Sequence, residues 1–194
     1  YSEDEIKAAF RKKQEMTVFT YHGDIDTLMS PLDSIRYYKS FLRSGFMSMD
    51  PKTGAVKAYV GGLDYTHFMY DMVSLGRRQV GSTIKPFLYS LAMSNGFQPC
   101  DLAPNRQQTY MVAGRPWTPR NANHSRAGQM VPLSWGLAQS SNWVSAYLMS
   151  KLNPQQFVQM LRDFGINSPD IHASMSLCLA PCEVSVSEMV SAYT

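Results

Sequence analysis

One helix with a marked start and a marked stop constrains this chain more than any other stretch. Gly81-Ser82-Thr83-Ile84-Lys85-Pro86-Phe87 opens it and Asn95-Gly96 closes it. Pro86 falls near the first turn, where a missing N–H costs least. Gly96 accepts the left-handed geometry past a helix end. Phe87, Leu88, Leu91 and Ala92 form an apolar face, so the helix must be covered on one side. Ser82 and Lys85 are three apart and share a face of the first turn. A serine hydroxyl is a weak nucleophile until a base takes its proton. A lysine can be that base only when neutral, and its ordinary pKa is about 10.4. Burial and the positive end of a helix dipole both push that value down. Ser-x-x-Lys at a helix start therefore holds the parts of a nucleophile and its base. An N-cap serine beside a solvated lysine has the same letters, so the tetrad needs context.

Composition narrows that context. The chain has 194 residues, 44% apolar and 17% charged, which suffices for a folded core. A net charge of +3, with no basic run interleaved with aromatics, gives no footprint for nucleic acid. No apolar run nears the roughly 20 residues that span a bilayer, and no leader peptide opens the chain. Any anchor is thus expected in a segment other than this one. Cys100, Cys178 and Cys182 are an odd set. Cys178 and Cys182 could close a small loop disulfide or remain buried thiols. His22, His67, His124 and His172 lack ligand spacing, and no metal or other cofactor is expected.

In chain order, Ser2-x-x-Glu5 reads as a capping box before a short helix to about Gln14. Met16–Tyr21 reads as a strand and His22-Gly23-Asp24 as a turn. Ser30-Pro31 starts a second helix that Gly45 ends. Phe46–Met49 and Ala55–Val60 read as a hairpin around Asp50-Pro51-Lys52-Thr53-Gly54. Gln98–Val131 reads as one long loop, in which Pro104, Pro116 and Pro119 rule out regular structure; loops of that length are usually functional. Pro132–Leu137, Trp143–Leu152 and the stretch after Asn153-Pro154 read as helices, and Ser185-x-x-Glu188 caps a last one.

The break at Gln139-Ser140-Ser141-Asn142 matters most among these. Ser140-x-Asn142 puts a hydroxyl and a carboxamide on one short turn, a pair able to pass a proton and hold a peptide amide. A capping turn uses the same residues. Ser140 follows Ser82 by 58 positions with a helical stretch after it, and the two motifs together are far more specific than either alone.

In that order the motifs resemble the transpeptidase domain of penicillin-binding proteins, the class A, bifunctional kind above all, with a Bacteroidetes flavour in Ser34-Ile35-Arg36-Tyr37-Tyr38 and Cys178. The resemblance runs from about Gly45 to Thr194. It is carried by Met49-Asp50-Pro51-Lys52-Thr53-Gly54 through Gly62, Arg77 through Pro86, Trp117-Thr118-Pro119-Arg120-Asn121, and Leu137 through Asn142. It implies an α+β fold of the penicillin-binding protein and serine β-lactamase type, with an antiparallel central sheet beside a mainly helical subdomain. Residues 1–44 would then be a linker or accessory segment, and residues 45–194 the front part of the transpeptidase domain.

The resemblance also implies roles. Ser82 would attack the penultimate D-alanine of a peptidoglycan stem peptide, and Lys85 would take its proton. Ser140 would relay a proton to the leaving D-alanine. Asn142 would bind the substrate amide and steady Lys85, and the backbone N–H of Ser82 would give half of an oxyanion hole. Stem peptides, β-lactams and other cell-wall synthesis proteins would be the partners, on the periplasmic side of the inner membrane. The family's third motif, Lys-Thr-Gly, is expected beyond Thr194; Lys52-Thr53-Gly54 precedes the nucleophile and is read as turn chemistry. With the third strand elsewhere, the hairpin should show an unpaired edge. Ala180 stands where the family would have glycine. Two other readings share the motifs: a β-lactamase or D,D-carboxypeptidase, and a β-lactam-sensing or scaffolding domain without turnover. No glutamate follows Ser140-x-Asn142 in a loop suited to deacylation.

Overall fold

The computed structural model describes residues 1–194. Helix α1 (Glu3–Arg11) starts at the expected capping box, with Ser2 accepting from the Glu5 N–H. It stops at Arg11, short of Gln14, because Gln14 already belongs to strand β1 (Gln14–Val18). β1 pairs antiparallel with β2 (Ile25–Met29), a strand the sequence pattern did not reveal. Helix α2 (Pro31–Ser40) is capped by Ser30 and ends five residues before Gly45.

Strands β3 (Phe46–Met49) and β4 (Val56–Val60) form the anticipated hairpin, with a register shift at Ser48 and Met49. All five residues of β4 are exposed and no further strand joins either edge. Lys52-Thr53-Gly54 is consumed by the turn. The Asp50 carboxylate accepts from the N–H groups of Lys52 and Thr53 at 2.9 and 3.1 Å, the Gly54 N–H donates to the Asp50 carbonyl at 2.9 Å, and Gly54 has φ +70°. Those backbone bonds also hold the Asp50 carboxyl below its usual range.

Strand β5 (Arg77–Gln79) runs up to the entry of the Ser82 turn. A short 3-10 turn, Gly81–Ile84, and helix α3 (Lys85–Ser94) follow. The stretch from Gln98 to Val131 is not a structureless loop. It contains β6 (Leu102–Pro104), β7 (Tyr110–Val112) and β8 (Arg115–Trp117), and β9 (Met130–Pro132) begins at its end. The prolines failed to exclude strands because each ladder has only two three-residue strands, β6 with β9 and β7 with β8. Every strand is then an edge, and an edge position tolerates a residue that donates no ladder bond. Short helices α4 (Leu133–Ala138) and α5 (Asn142–Met149) flank the Ser140 break. Helix α6 (Pro154–Asp163), a 3-10 turn (Met175–Leu179), strand β10 (Glu183–Ser185) and helix α7 (Val186–Tyr193) complete the chain. β10 pairs with β5, another ladder the sequence pattern missed.

The core sits around α3, α5 and α6. Leu88, Val144, Leu148, Phe157 and Leu161 are fully buried there. Cys178 and Cys182 are buried free thiols, not a disulfide. Ala180 between them has φ +50°, a left-handed conformation that glycine adopts freely and that costs an alanine about 1–2 kcal/mol. The N-terminal segment meets the rest through aromatic rings: Phe19 packs edge-on against Phe68 at 5.4 Å, and the Arg43 guanidinium lies over Phe68. His67 reaches back to Asp24 at 3.0 Å.

Candidate active site

Lys85 organises the site. It is the first residue of α3, and the apolar face of that helix carries its stem inward until only 1% of the residue is exposed. Its Nζ donates to the Ser140 carbonyl at 2.6 Å, to Ser140 Oγ at 3.0 Å and to Asn142 Oδ1 at 2.7 Å. Lys85 takes part in no ion pair. Burial pushes its pKa from 10.5 down to about 8. Burial likewise pushes the neighbouring Cys178 thiol up to about 12. Cys178 therefore stays neutral while Lys85 titrates and supplies no counter-charge.

Asn142 has its amide orientation fixed from both ends. Its Nδ2 donates to the Arg120 carbonyl at 2.7 Å, so only Oδ1 is left to face Lys85. An amide held this way offers lysine an acceptor and never a competing donor. Ser140 sits between α4 and α5 with φ +51°, unusual for a residue that carries a Cβ. Its N–H donates to the Leu137 carbonyl at 2.9 Å, and its own carbonyl takes the shortest of the Lys85 bonds. The lysine thus holds the turn in the conformation that presents Ser140 Oγ.

Ser82 is exposed in the 3-10 turn that leads into α3, one turn before Lys85. It lines a cavity of about 170 Å³ together with Ser140, Asn142, Asn121, Gln139 and Trp135. Three of the four expected site residues, Ser82, Ser140 and Asn142, line one cleft, and Lys85 lies buried beside it. Direct bonds join Lys85, Ser140 and Asn142; Ser82 shares the cleft, and none of Lys85's bonds goes to it. Gly81, at φ +53°, allows the sharp entry into the turn that carries Ser82. The cleft wall also includes Trp135, under the Arg126 guanidinium at 5.4 Å, and Asn123, which donates to Gln139 at 3.4 Å. Nothing in the spacing of these wall residues marked them; they come from a loop and from α4, and only the fold brings them to Ser82.

The family model for the penicillin binding protein transpeptidase domain matches residues 44–175, and that for the penicillin-binding protein middle domain matches residues 1–42. The chain belongs to the penicillin-binding protein family and carries its transpeptidase domain. Its relatives include penicillin-binding protein 2D of Bacillus subtilis, 35% identical over 156 residues, which are 79% of this chain and 22% of that protein. Penicillin-binding protein 1A of Neisseria meningitidis is 33% identical over 156 residues, 79% of this chain and 19% of its own length. The chain spans about a fifth of the length of these curated relatives. Among solved structures, penicillin-binding protein 1A from Haemophilus influenzae superposes with a TM-score of 0.72 at 28% identity, over 78% of this chain and 23% of that one. PonA1 from Mycobacterium tuberculosis shares the fold, with a TM-score of 0.63 at 20% identity over 100% of this chain and 51% of that one. These relatives support the class A assignment suggested by the motifs, and with it the α+β transpeptidase fold.

Proposed function

We propose that this domain is a serine D,D-transpeptidase that cross-links peptidoglycan stem peptides through an acyl-enzyme on Ser82 and is acylated there by β-lactams. The observation that carries the reading is the buried, ion-pair-free Lys85. It is held by the Ser140–Asn142 turn at the cleft that Ser82 lines. A pKa near 8 leaves about one lysine in ten neutral at pH 7, against roughly one in three thousand for an ordinary side chain.

In this reading neutral Lys85 removes the Ser82 proton as Oγ bonds to the carbonyl carbon of the penultimate D-alanine. The C–N bond to the terminal D-alanine then breaks, and that amine leaves with a proton delivered through Ser140 Oγ. Asn142 holds the stem-peptide amide and keeps Lys85 aligned. An amine from a neighbouring stem attacks the ester, and Ser82 leaves and regains its proton. Ser82 N–H serves as one oxyanion donor. Residues 1–44 act as an accessory segment and 45–194 as transpeptidase; the aromatic contact of Phe19 with Phe68 supports a docked arrangement. The domain acts with other cell-wall synthesis proteins on the periplasmic side of the inner membrane. No helix here is long and apolar enough to cross a membrane.

Intact-mass analysis after incubation with a simple penicillin, followed by peptide mapping, tests the reading. The adduct is expected on Ser82 and should vanish in Ser82→Ala, with the melting temperature nearly unchanged because the side chain is exposed. An adduct that persists in Ser82→Ala would remove that residue from the nucleophile role. A sensing domain would give the same adduct but would not consume a stem-peptide donor, so turnover separates the two.

A further inference from the structure

Behind the Ser140–Asn142 turn lies a chain of side-chain amides and one hydroxyl that the chemistry above does not use. Asn105, 1% exposed, sits just after β6. Its Nδ2 donates to two backbone carbonyls, those of Ser125 at 2.9 Å and Arg126 at 3.0 Å. Both amide hydrogens are spent there, so Asn105 Oδ1 faces the other way and accepts from Ser141 Oγ at 3.0 Å. With its single hydrogen committed, Ser141 Oγ can only accept on its remaining side. It does so from the Val144 N–H at 3.3 Å and from Asn121 Nδ2 at 3.2 Å. That fixes Asn121 in turn, and its Oδ1 accepts the N–H groups of Asn142 at 2.7 Å and Trp143 at 3.2 Å.

Every donor in this series points the same way, from the first residue of α5 back to loop 123–129. Reversing the Asn105 amide would set Nδ2 against the Ser141 hydrogen and Oδ1 against two carbonyls. A partly satisfied buried network costs more than an apolar one of the same shape. Asn105 also ties the loop to itself through the backbone: its N–H donates to the Gln129 carbonyl, and the Gly128 N–H donates to its own carbonyl.

We propose that Asn105, acting through Ser141 and Asn121, is a positioning residue that sets the Ser140–Asn142 turn for acylation of Ser82. This rests on the transpeptidase reading above. Asn105 touches neither the cleft nor Lys85; its effect is on where Asn142 begins its helix, and hence on where Asn142 Oδ1 and Ser140 Oγ meet the lysine. The sequence offers no motif around Asn105, which lies 36 positions before Ser141.

The test uses the intact protein with Asn105→Asp, which keeps the shape but cannot donate to two carbonyls, and Ser141→Ala, which breaks the series from its other side. Leu161→Ala serves as a control that lowers stability from within α6. Two quantities are read for each: amide hydrogen exchange at Asn142 and Trp143, and the first-order rate of acylation by a fluorescent penicillin at saturation. The expected result is exchange at those two amides at least ten-fold faster, acylation ten- to a hundred-fold slower, and penicillin binding before acylation within three-fold of native. Leu161→Ala, at a comparable loss of melting temperature, should leave the acylation rate within three-fold. If Asn105→Asp does not fold, Ser141→Ala alone decides. Unchanged exchange at Asn142 and Trp143 overturns the proposal, as does faster exchange with native acylation, or equal slowing by Leu161→Ala. Native protein that takes no label on Ser82 overturns the transpeptidase reading itself, and the proposal with it.

Discussion

Replacing Asn142 with aspartate changes one atom type at the most sensitive point of the site. Asn142 Oδ1 accepts from Lys85 Nζ at 2.7 Å, and Asn142→Asp would put a carboxylate there. A point-charge sum at that distance with an effective dielectric of 20 gives about 6 kcal/mol, an upper bound because the cleft is open to water. Measured shifts for a charge next to an opposite charge run about 1–3 units. Taking about 2 units moves Lys85 from about 8 to about 10. At pH 7 the neutral fraction falls from about one in ten to about one in a thousand, so acylation by penicillin should slow about 100-fold. The profile is more telling than the single value. Native acylation should rise about ten-fold per pH unit from pH 6 and level off above about 8. The variant should follow a parallel line and keep rising to about pH 10, where the two curves converge. Stopped-flow labelling from pH 6 to 10 reads both. A native profile that is flat across pH 6–9 refutes Lys85 as the proton acceptor. A variant slowed by one factor at all pH values refutes the electrostatic link between Asn142 and the lysine.

Other measurements probe stability and access. Lys85 has a folded pKa below its unfolded value, so stability is lost as pH falls through about 8 and is fully recovered above 10.5. The 2.5-unit difference corresponds to about 3 kcal/mol at pH 7. Lys85→Met should abolish acylation, and in urea denaturation the rise in native stability between pH 8 and 10 should disappear. Gly136→Ala should cost about 1–3 kcal/mol and lower the melting temperature, since its Cβ would lie 2.5 Å from Val144 Cγ1 and 3.0 Å from Tyr89 Oη. A maleimide applied to the native protein should label Cys100 alone; Cys178 and Cys182 are buried, and burial raises both thiols above their ordinary range. Labelling of Cys178 before unfolding would contradict the packing around Lys85.

The helices and the set Ser82, Lys85, Ser140 and Asn142 could be read from the sequence because their signals are local. Capping boxes at Ser2 and Ser185, Asn153-Pro154 and the Gly81 and Gly96 boundaries each act within a few residues. The ladders could not be read that way. β5 is three residues long and finds its partner β10 over a hundred positions later, so neither strand shows an alternating pattern of its own. Pro104 and Pro116 argued against strands on a rule that holds inside a sheet and lapses at the edge of a two-stranded one. Asn121 ends the stretch Trp117–Asn121 with no local signal of a role, and its Oδ1 holds the start of α5. Asn105 had no local signal at all, because its partners Ser125, Arg126 and Ser141 are brought to it by folding alone.

The hairpin turn at Asp50 bears on how short motifs should be weighed. A tripeptide can serve a ligand only if its backbone and side chains are free to turn toward one. Here the N–H groups of Lys52, Thr53 and Gly54 are all spoken for by Asp50, and the same three letters are spent on reversing the chain. A pattern search anchored on Lys-Thr-Gly would set the catalytic centre on a solvent-facing hairpin. The useful question for such a match is where its hydrogen-bonding groups already point. For Ser82-x-x-Lys85 and Ser140-x-Asn142 they point at one another or into a shared cleft; for Lys52-Thr53-Gly54 they point back into their own turn.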